Sequence, residues 1–169
     1  FPITKQFFRF MSVITSYLEM TSPQQIQPSA CTDPLFQVMK VTTPVWKFNR
    51  FLYSYVGEKW QWLDKLAWSD AEWRVYVERH ELHTFVGYHN GSPAGYFELE
   101  QQGDDVEIAY FGLVDPFIGK GLGGYFLTTA LKHAWMLAKN RVWVHTCTLD
   151  HPASLKNYQA RGMSIYKVE

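Results

Sequence analysis

Val114-Asp115-Pro116-Phe117-Ile118-Gly119-Lys120-Gly121-Leu122-Gly123-Gly124 runs from the end of an expected strand into the start of an expected helix, and its reading decides the fold. Four glycines within six positions let backbone N–H groups crowd around an anion, and the dipole of the helix behind them adds partial positive charge. The alternative is a tight strand-to-helix turn that binds nothing, and the glycine density favours the cradle. Taken literally, Gly119-x-Gly121-x-x-Gly124 also fits the dinucleotide fingerprint, with Asp150 placed after the next strand as a ribose-binding acid. A dinucleotide fold puts that turn after its first strand and needs several further βα units, whereas only about 45 residues follow here. A nicotinamide-dependent oxidoreductase is therefore the weaker alternative. The Walker pattern fails as well, because no Lys-Ser or Lys-Thr follows a glycine in the loop.

Working outward, the period before the loop is two. Leu82–His89 and Ala94–Gln101 read as strands joined through Asn90-Gly91-Ser92-Pro93, the strongest hairpin signal in the chain. A third strand, Val106–Val114, follows the turn at Gly103-Asp104, giving an antiparallel meander. Upstream, Val45, Phe48, Phe51, Leu52, Tyr55 and Val56 recur at helical spacing up to Gly57. A second helix starts at Ser69 with Glu72 as a capping box. Short strands are expected at Val13–Met20 and Gln37–Thr43. After the loop come a helix from about Gly121 to Lys139 and a strand at Arg141–Leu149. Asp150-His151-Pro152 then caps a last helix that Gly162 ends, and a strand closes the chain at Met163–Val168. This order predicts an α+β domain, a mixed sheet with helices on both faces. One domain is expected over residues 13–169, with residues 1–12 an appended or upstream segment.

Sixteen basic and sixteen acidic side chains cancel, so charge gives no reason for a nucleic-acid partner. Cys31 and Cys147 stand far apart without a partner pattern, which suits a reducing, cytoplasmic location and no metal cluster. No run of about 18 apolar residues points to a membrane. His80 and His83 lack a third ligand at suitable spacing. A homodimer is compatible with the sequence, which does not fix the oligomeric state.

At the glycine loop the chain resembles the GNAT superfamily of acetyl-CoA-dependent N-acetyltransferases. Their cofactor motif is Gln or Arg, two residues, Gly, one residue, then Gly or Ala. Here it reads Ile118-Gly119-Lys120-Gly121-Leu122-Gly123, with Ile118 in the Gln or Arg place and the loop after Pro116 one residue short. The departure bears on loop register more than on cofactor binding, because the family's pyrophosphate contacts come chiefly from loop amides. Downstream, Ser154, Tyr158 and Gly162 match the Ala, Tyr and Gly places of the closing helix motif, with His151 where Asn is usual. The resemblance covers roughly Leu82 to Val168.

The resemblance implies a GNAT-like, mostly antiparallel twisted sheet with a splayed parallel strand pair at the cofactor site. It implies acetyl-CoA as co-substrate, with no metal, and direct attack by a primary amine on a small molecule or peptide. Leu113, Val114, Ile118, Gly119, Lys120, Gly121, Leu122, Gly123 and Gly124 would hold the cofactor. Backbone N–H near Leu113 would polarise the thioester carbonyl, and Gly112 suits either a bulge that opens the strand pair or mere relief of crowding. A free alkyl amine has a pKa near ~10.4, so a base helps. Glu107 and His145 are the candidates, each open to a plain structural reading. Tyr158 resembles the family's general acid for the departing thiolate. Tyr53, Trp60 and Trp62 are read as an aromatic wall for the acceptor, in a pocket expected to be largely apolar, with core packing as the other reading. A domain that holds acyl-CoA without turnover is the remaining alternative.

Overall fold

In the computed structural model, residues 12–169 are described; the expected appended segment lies outside them but for Ser12. Among these residues, seven strands and four α-helices follow in the order β1 (Thr15–Met20), β2 (Phe36–Lys40), α1 (Trp46–Gly57), α2 (Asp70–Val77), β3 (Leu82–His89), β4 (Ser92–Gln102), β5 (Asp105–Leu113), α3 (Gly123–Trp135), β6 (Arg141–Cys147), α4 (Ser154–Ala160) and β7 (Ser164–Val168). They form one sheet in the order β2-β3-β4-β5-β6-β1-β7, antiparallel except at β5–β6.

Local chemistry sets most of these boundaries. Asn90 and Gly91 both take positive φ, 48° and 92°, and so close the β3–β4 hairpin in two residues. Ser69 accepts from the Glu72 N–H while the Glu72 carboxylate accepts from the Ser69 N–H, which starts α2 as expected. Gly162, at φ 103°, stops α4. Asp150 does not cap that helix. Its carboxylate instead accepts from Thr146 Oγ1 at 2.6 Å and the Cys147 N–H at 2.9 Å, tying down the end of β6.

Two apolar layers sandwich the sheet. On one face Leu18, Phe97, Leu99, Ile108, Phe126, Leu131 and Val142 pack with α3. On the other, Leu52, Tyr53, Trp73, Val86 and Tyr96 pack with α1 and α2. Gly112 lets α1 sit this close to β5, since a Cβ there would meet Val56 Cγ1 at 2.6 Å. The expected bulge lies elsewhere. Leu99 pairs with Ile108 and Glu98 with Tyr110, so Ala109 is the extra residue.

The bulge coincides with the parting of two strands. β5 and β6 pair only through Asp105↔Arg141, Val106↔Val142 and Glu107↔Trp143. Beyond that point β5 stays with β4, while β6 follows β1, which pairs along its whole length from Met20↔Val142 to Thr15↔Cys147. β1 thus sits between β6 and β7 rather than beside β2. The tight spacing within the meander gave no sign of that long-range choice.

Candidate active site

A cavity of about 920 Å³ occupies the gap where β5 and β6 separate. Leu113 and Phe111 line its β5 side, Val144, His145 and Cys147 its β6 side. The Val114 N–H donates to Ala94 O at 2.7 Å, with Gly95 opposite Leu113. Strand alternation therefore turns the Leu113 and Phe111 N–H groups away from β4 and into the gap. Val114, grouped with the cofactor residues from sequence, spends its N–H on β4 and its carbonyl on the Phe117 N–H at 2.9 Å.

At one end of the cavity lies the glycine loop. Gly119 and Gly121 have φ of 77° and 78°, with open space where a side chain would start, so both glycines serve backbone conformation rather than a crowded approach. The first intrahelical bond of α3 is Phe126 N–H to Leu122 O, and no side chain caps the helix. The N–H groups of residues 119–125 consequently donate to no group among the described residues, leaving a run of free donors at a helix N-terminus. Ile118, Gly119, Gly123 and Gly124 line the cavity. Lys120 and Gly121 belong to the same turn, whereas the Leu122 side chain is 2% exposed and packs into the core. Asn157 Nδ2 donates to Gly123 O at 3.1 Å and so fixes α4 against this turn.

Tyr158 lies on α4, buried, with its ring 6.1 Å from that of Phe111 across the gap. It lines the cavity, and burial pushes its phenol up, which keeps it protonated. Glu107 occupies the last paired rung of β5, its side chain 12% exposed. Its Oε1 meets His145 Nδ1 at 3.2 Å and its Oε2 accepts from Gln102 Nε2 at 2.8 Å. The hydrogen bond to Glu107 raises the His145 imidazole against a smaller opposing effect of burial. With Nδ1 held by the carboxylate, Nε2 is the nitrogen left to act in the cavity. The structure thus brings the two candidate bases together as one pair.

At the other end, Trp60 and Trp62 line the wall with Asp64, Lys65, Tyr76 and Tyr110. Trp60 also meets the ring of His151 edge-on at 5.1 Å, joining the two sides of the mouth. Tyr53 is 1% exposed and lies behind the wall, donating to Asp64 Oδ1 at 2.5 Å. Carboxylates of Asp64, Glu100 and Glu107 and the Lys65 ammonium share this end with the aromatics. Behind it, burial raises the Glu98 carboxyl despite bonds from Tyr76 OH at 2.6 Å and Asn49 Nδ2 at 3.1 Å. Sequence reasoning missed Asp64, Lys65, Tyr76 and Tyr110. The aromatic density around them was visible, but their meeting across some 45 positions had no periodic signal.

The acetyltransferase (GNAT) family model matches residues 46–163, most of the chain. The chain belongs to this GNAT family. Solved structures of similar fold include a GCN5-related N-acetyltransferase from Sphaerobacter thermophilus, 13% identical, TM-score 0.71, covering 92% of this chain and 49% of that one. Another is a GCN5-related N-acetyltransferase from Kribbella flavida, 13% identical, TM-score 0.66, covering 92% and 55%. An aminoglycoside acetyltransferase from an uncultured soil metagenomic sample is 11% identical with TM-score 0.62, covering 76% and 88%. This GNAT chain spans about half the length of the first two. No curated protein matches it. Family and fold support acyl transfer as its chemistry. Among the described residues, no helix is long and apolar enough to cross a membrane, and no group of three or more His, Cys, Asp or Glu could hold a metal ion.

Proposed function

We propose that this GNAT domain transfers an acetyl group from acetyl-CoA to a primary amine by direct attack. The observation that carries the reading is the run of unpaired amides at residues 119–125, set beside a strand gap into which the Leu113 N–H points. The amides suit a pyrophosphate and the gap suits a narrow pantetheine arm. Acetyl-CoA supplies an activated acyl carbon and a thiolate leaving group.

The residues of the chain then divide the work. The Leu113 N–H polarises the acyl oxygen, a donor worth about 3 kcal/mol when aimed at developing negative charge. His145, held by Glu107, takes the proton of the attacking amine through Nε2, directly or through water. Tyr158 delivers a proton to the departing sulfur, and its buried phenol is kept in the protonated form this needs. Trp60 and Trp62 confine the acceptor and exclude water from the mouth.

Amide NMR of the protein titrated with acetyl-CoA tests the site. Shifts concentrated at residues 119–125 and at Leu113 are expected. Shifts confined to the Asp64–Tyr110 end, or none, would overturn the assignment.

A further inference from the structure

Lys65 is 8% exposed, in the turn between Trp60 and Ser69. Its Nζ lies 4.6 Å from the ring centroid of Trp68, 4.8 Å from Tyr76 and 4.7 Å from Tyr110. It donates to Tyr110 OH at 2.7 Å and to Asp64 Oδ2 at 3.1 Å. Asp64 is fixed in turn by hydroxyls of Tyr53 at 2.5 Å and Tyr110 at 2.8 Å, and the Lys65 N–H donates to Tyr53 OH at 3.2 Å. The rings of Trp68 and Tyr76, the Tyr110 hydroxyl and a carboxylate around one ammonium make a cation receptor. Here the cation is the chain's own.

The cage opens on the cavity, because Asp64, Lys65, Tyr76 and Tyr110 all line its acceptor end. None of them carries a step assigned to Leu113, Glu107, His145 or Tyr158. The Asp64 side chain is itself 61% exposed, and an exposed Asp-Lys pair gains little and needs no aromatic enclosure; the enclosure is around Lys65 alone. An ammonium has three N–H donors. Asp64 and Tyr110 take two, leaving one for whatever enters the cavity.

We propose that the Trp68–Tyr76–Tyr110–Asp64 cage is an ammonium subsite of the acceptor pocket, and that Lys65, its resident occupant, sets the acceptor class. The acceptor is then a primary amine whose far end carries a carboxylate or carbonyl that accepts a hydrogen bond from Lys65. A second ammonium is excluded, since it would meet a like charge in a site already filled. The proposal rests on the acyl-transfer reading of the cavity.

The test has two independent readouts. In Lys65→Ala without any CoA, propylammonium replaces the missing side chain, so its titration should change tryptophan fluorescence saturably and raise Tm. Wild type should show neither, and adding Trp68→Ala should weaken the binding about tenfold. With acetyl-CoA present, wild type should prefer 4-aminobutanoate to 1,4-diaminobutane in kcat/KM. Lys65→Ala should move that ratio at least about tenfold toward the diamine. Lys65→Met keeps the stem and its packing, and it should lose the wild-type preference even if the alanine variant does not fold. A folded Lys65→Ala that binds no propylammonium, or a ratio unchanged in Lys65→Met, would overturn the proposal. Absence of turnover with every amine would instead count against acyl transfer, and the propylammonium readout would still decide whether the cage is a cation site.

Discussion

Glu107 Oε1 and His145 Nδ1 stand 3.2 Å apart across the last rung before β5 and β6 separate. A carboxylate behind an imidazole raises its pKa and fixes which nitrogen faces the substrate, so the pair should govern the pH dependence of the reaction. The rising limb of the kcat/KM profile is expected above the ordinary histidine value of about 6.5. Glu107→Gln should move that limb down toward it and lower the rate by about tenfold or more. A pH–rate profile of both proteins checks this, and an unmoved limb would remove His145 from the role of base.

The same pair makes a stability prediction. A histidine whose pKa is raised by folding contributes stability that is fully present below its unfolded value and is lost as pH rises through the folded one. Glu107→Gln should therefore cost more at pH 6 than at pH 9, by no more than about 1 kcal/mol because the imidazole is half exposed. Urea melts at the two pH values measure the difference.

Gly121 needs a left-handed backbone but has open space for a side chain. Asn, which tolerates that conformation, should keep more acetyl-CoA affinity than Val, which does not. Calorimetry should rank wild type above Gly121→Asn above Gly121→Val, with about tenfold lost at the end. Equal losses would show that crowding by the ligand matters, and no loss would exclude the loop from binding.

The meander, the second helix and the end of the closing helix were legible because each is encoded within a few residues. The Asn90-Gly91 turn, the Ser69–Glu72 box and Gly162 are examples. Placement of β1 between β6 and β7 was not, because strand pairing across more than 100 positions leaves no local mark. Of the two readings of Gly112, a bulge or relief of crowding, the structure has the second. Gly112 makes room for Val56 of α1, and the bulge fell on Ala109, a residue with no turn chemistry of its own. Tyr53, open from the sequence to both a pocket-wall and a core-packing reading, is core, a buried support for Asp64.

The Val56 contact gives a prediction about packing. Gly112→Ala should destabilise the fold by about 1–3 kcal/mol through overpacking. Val56→Ala in the same chain should recover part of that loss, because it removes the methyl that the new Cβ would strike. Denaturant unfolding of the double-mutant cycle reads the coupling, and additive losses would mean that the two sites do not touch.

Tyr158→Phe keeps the ring in the apolar layer and removes only the hydroxyl. Acetyl-CoA affinity and Tm should survive while turnover falls by roughly 10² to 10⁴. Full turnover in Tyr158→Phe would assign proton delivery to water or His145.

Thiol release from acetyl-CoA, followed with a broad panel of primary amines and paired with mass detection of the acetylated product, tests acyl transfer most directly. The account predicts amine-dependent thiol release matched one for one by N-acetylated amine, strongest for amines bearing a distal carboxylate or carbonyl. Tight acetyl-CoA binding with no amine-dependent release across the panel would contradict it and leave a domain that holds the coenzyme without turning it over.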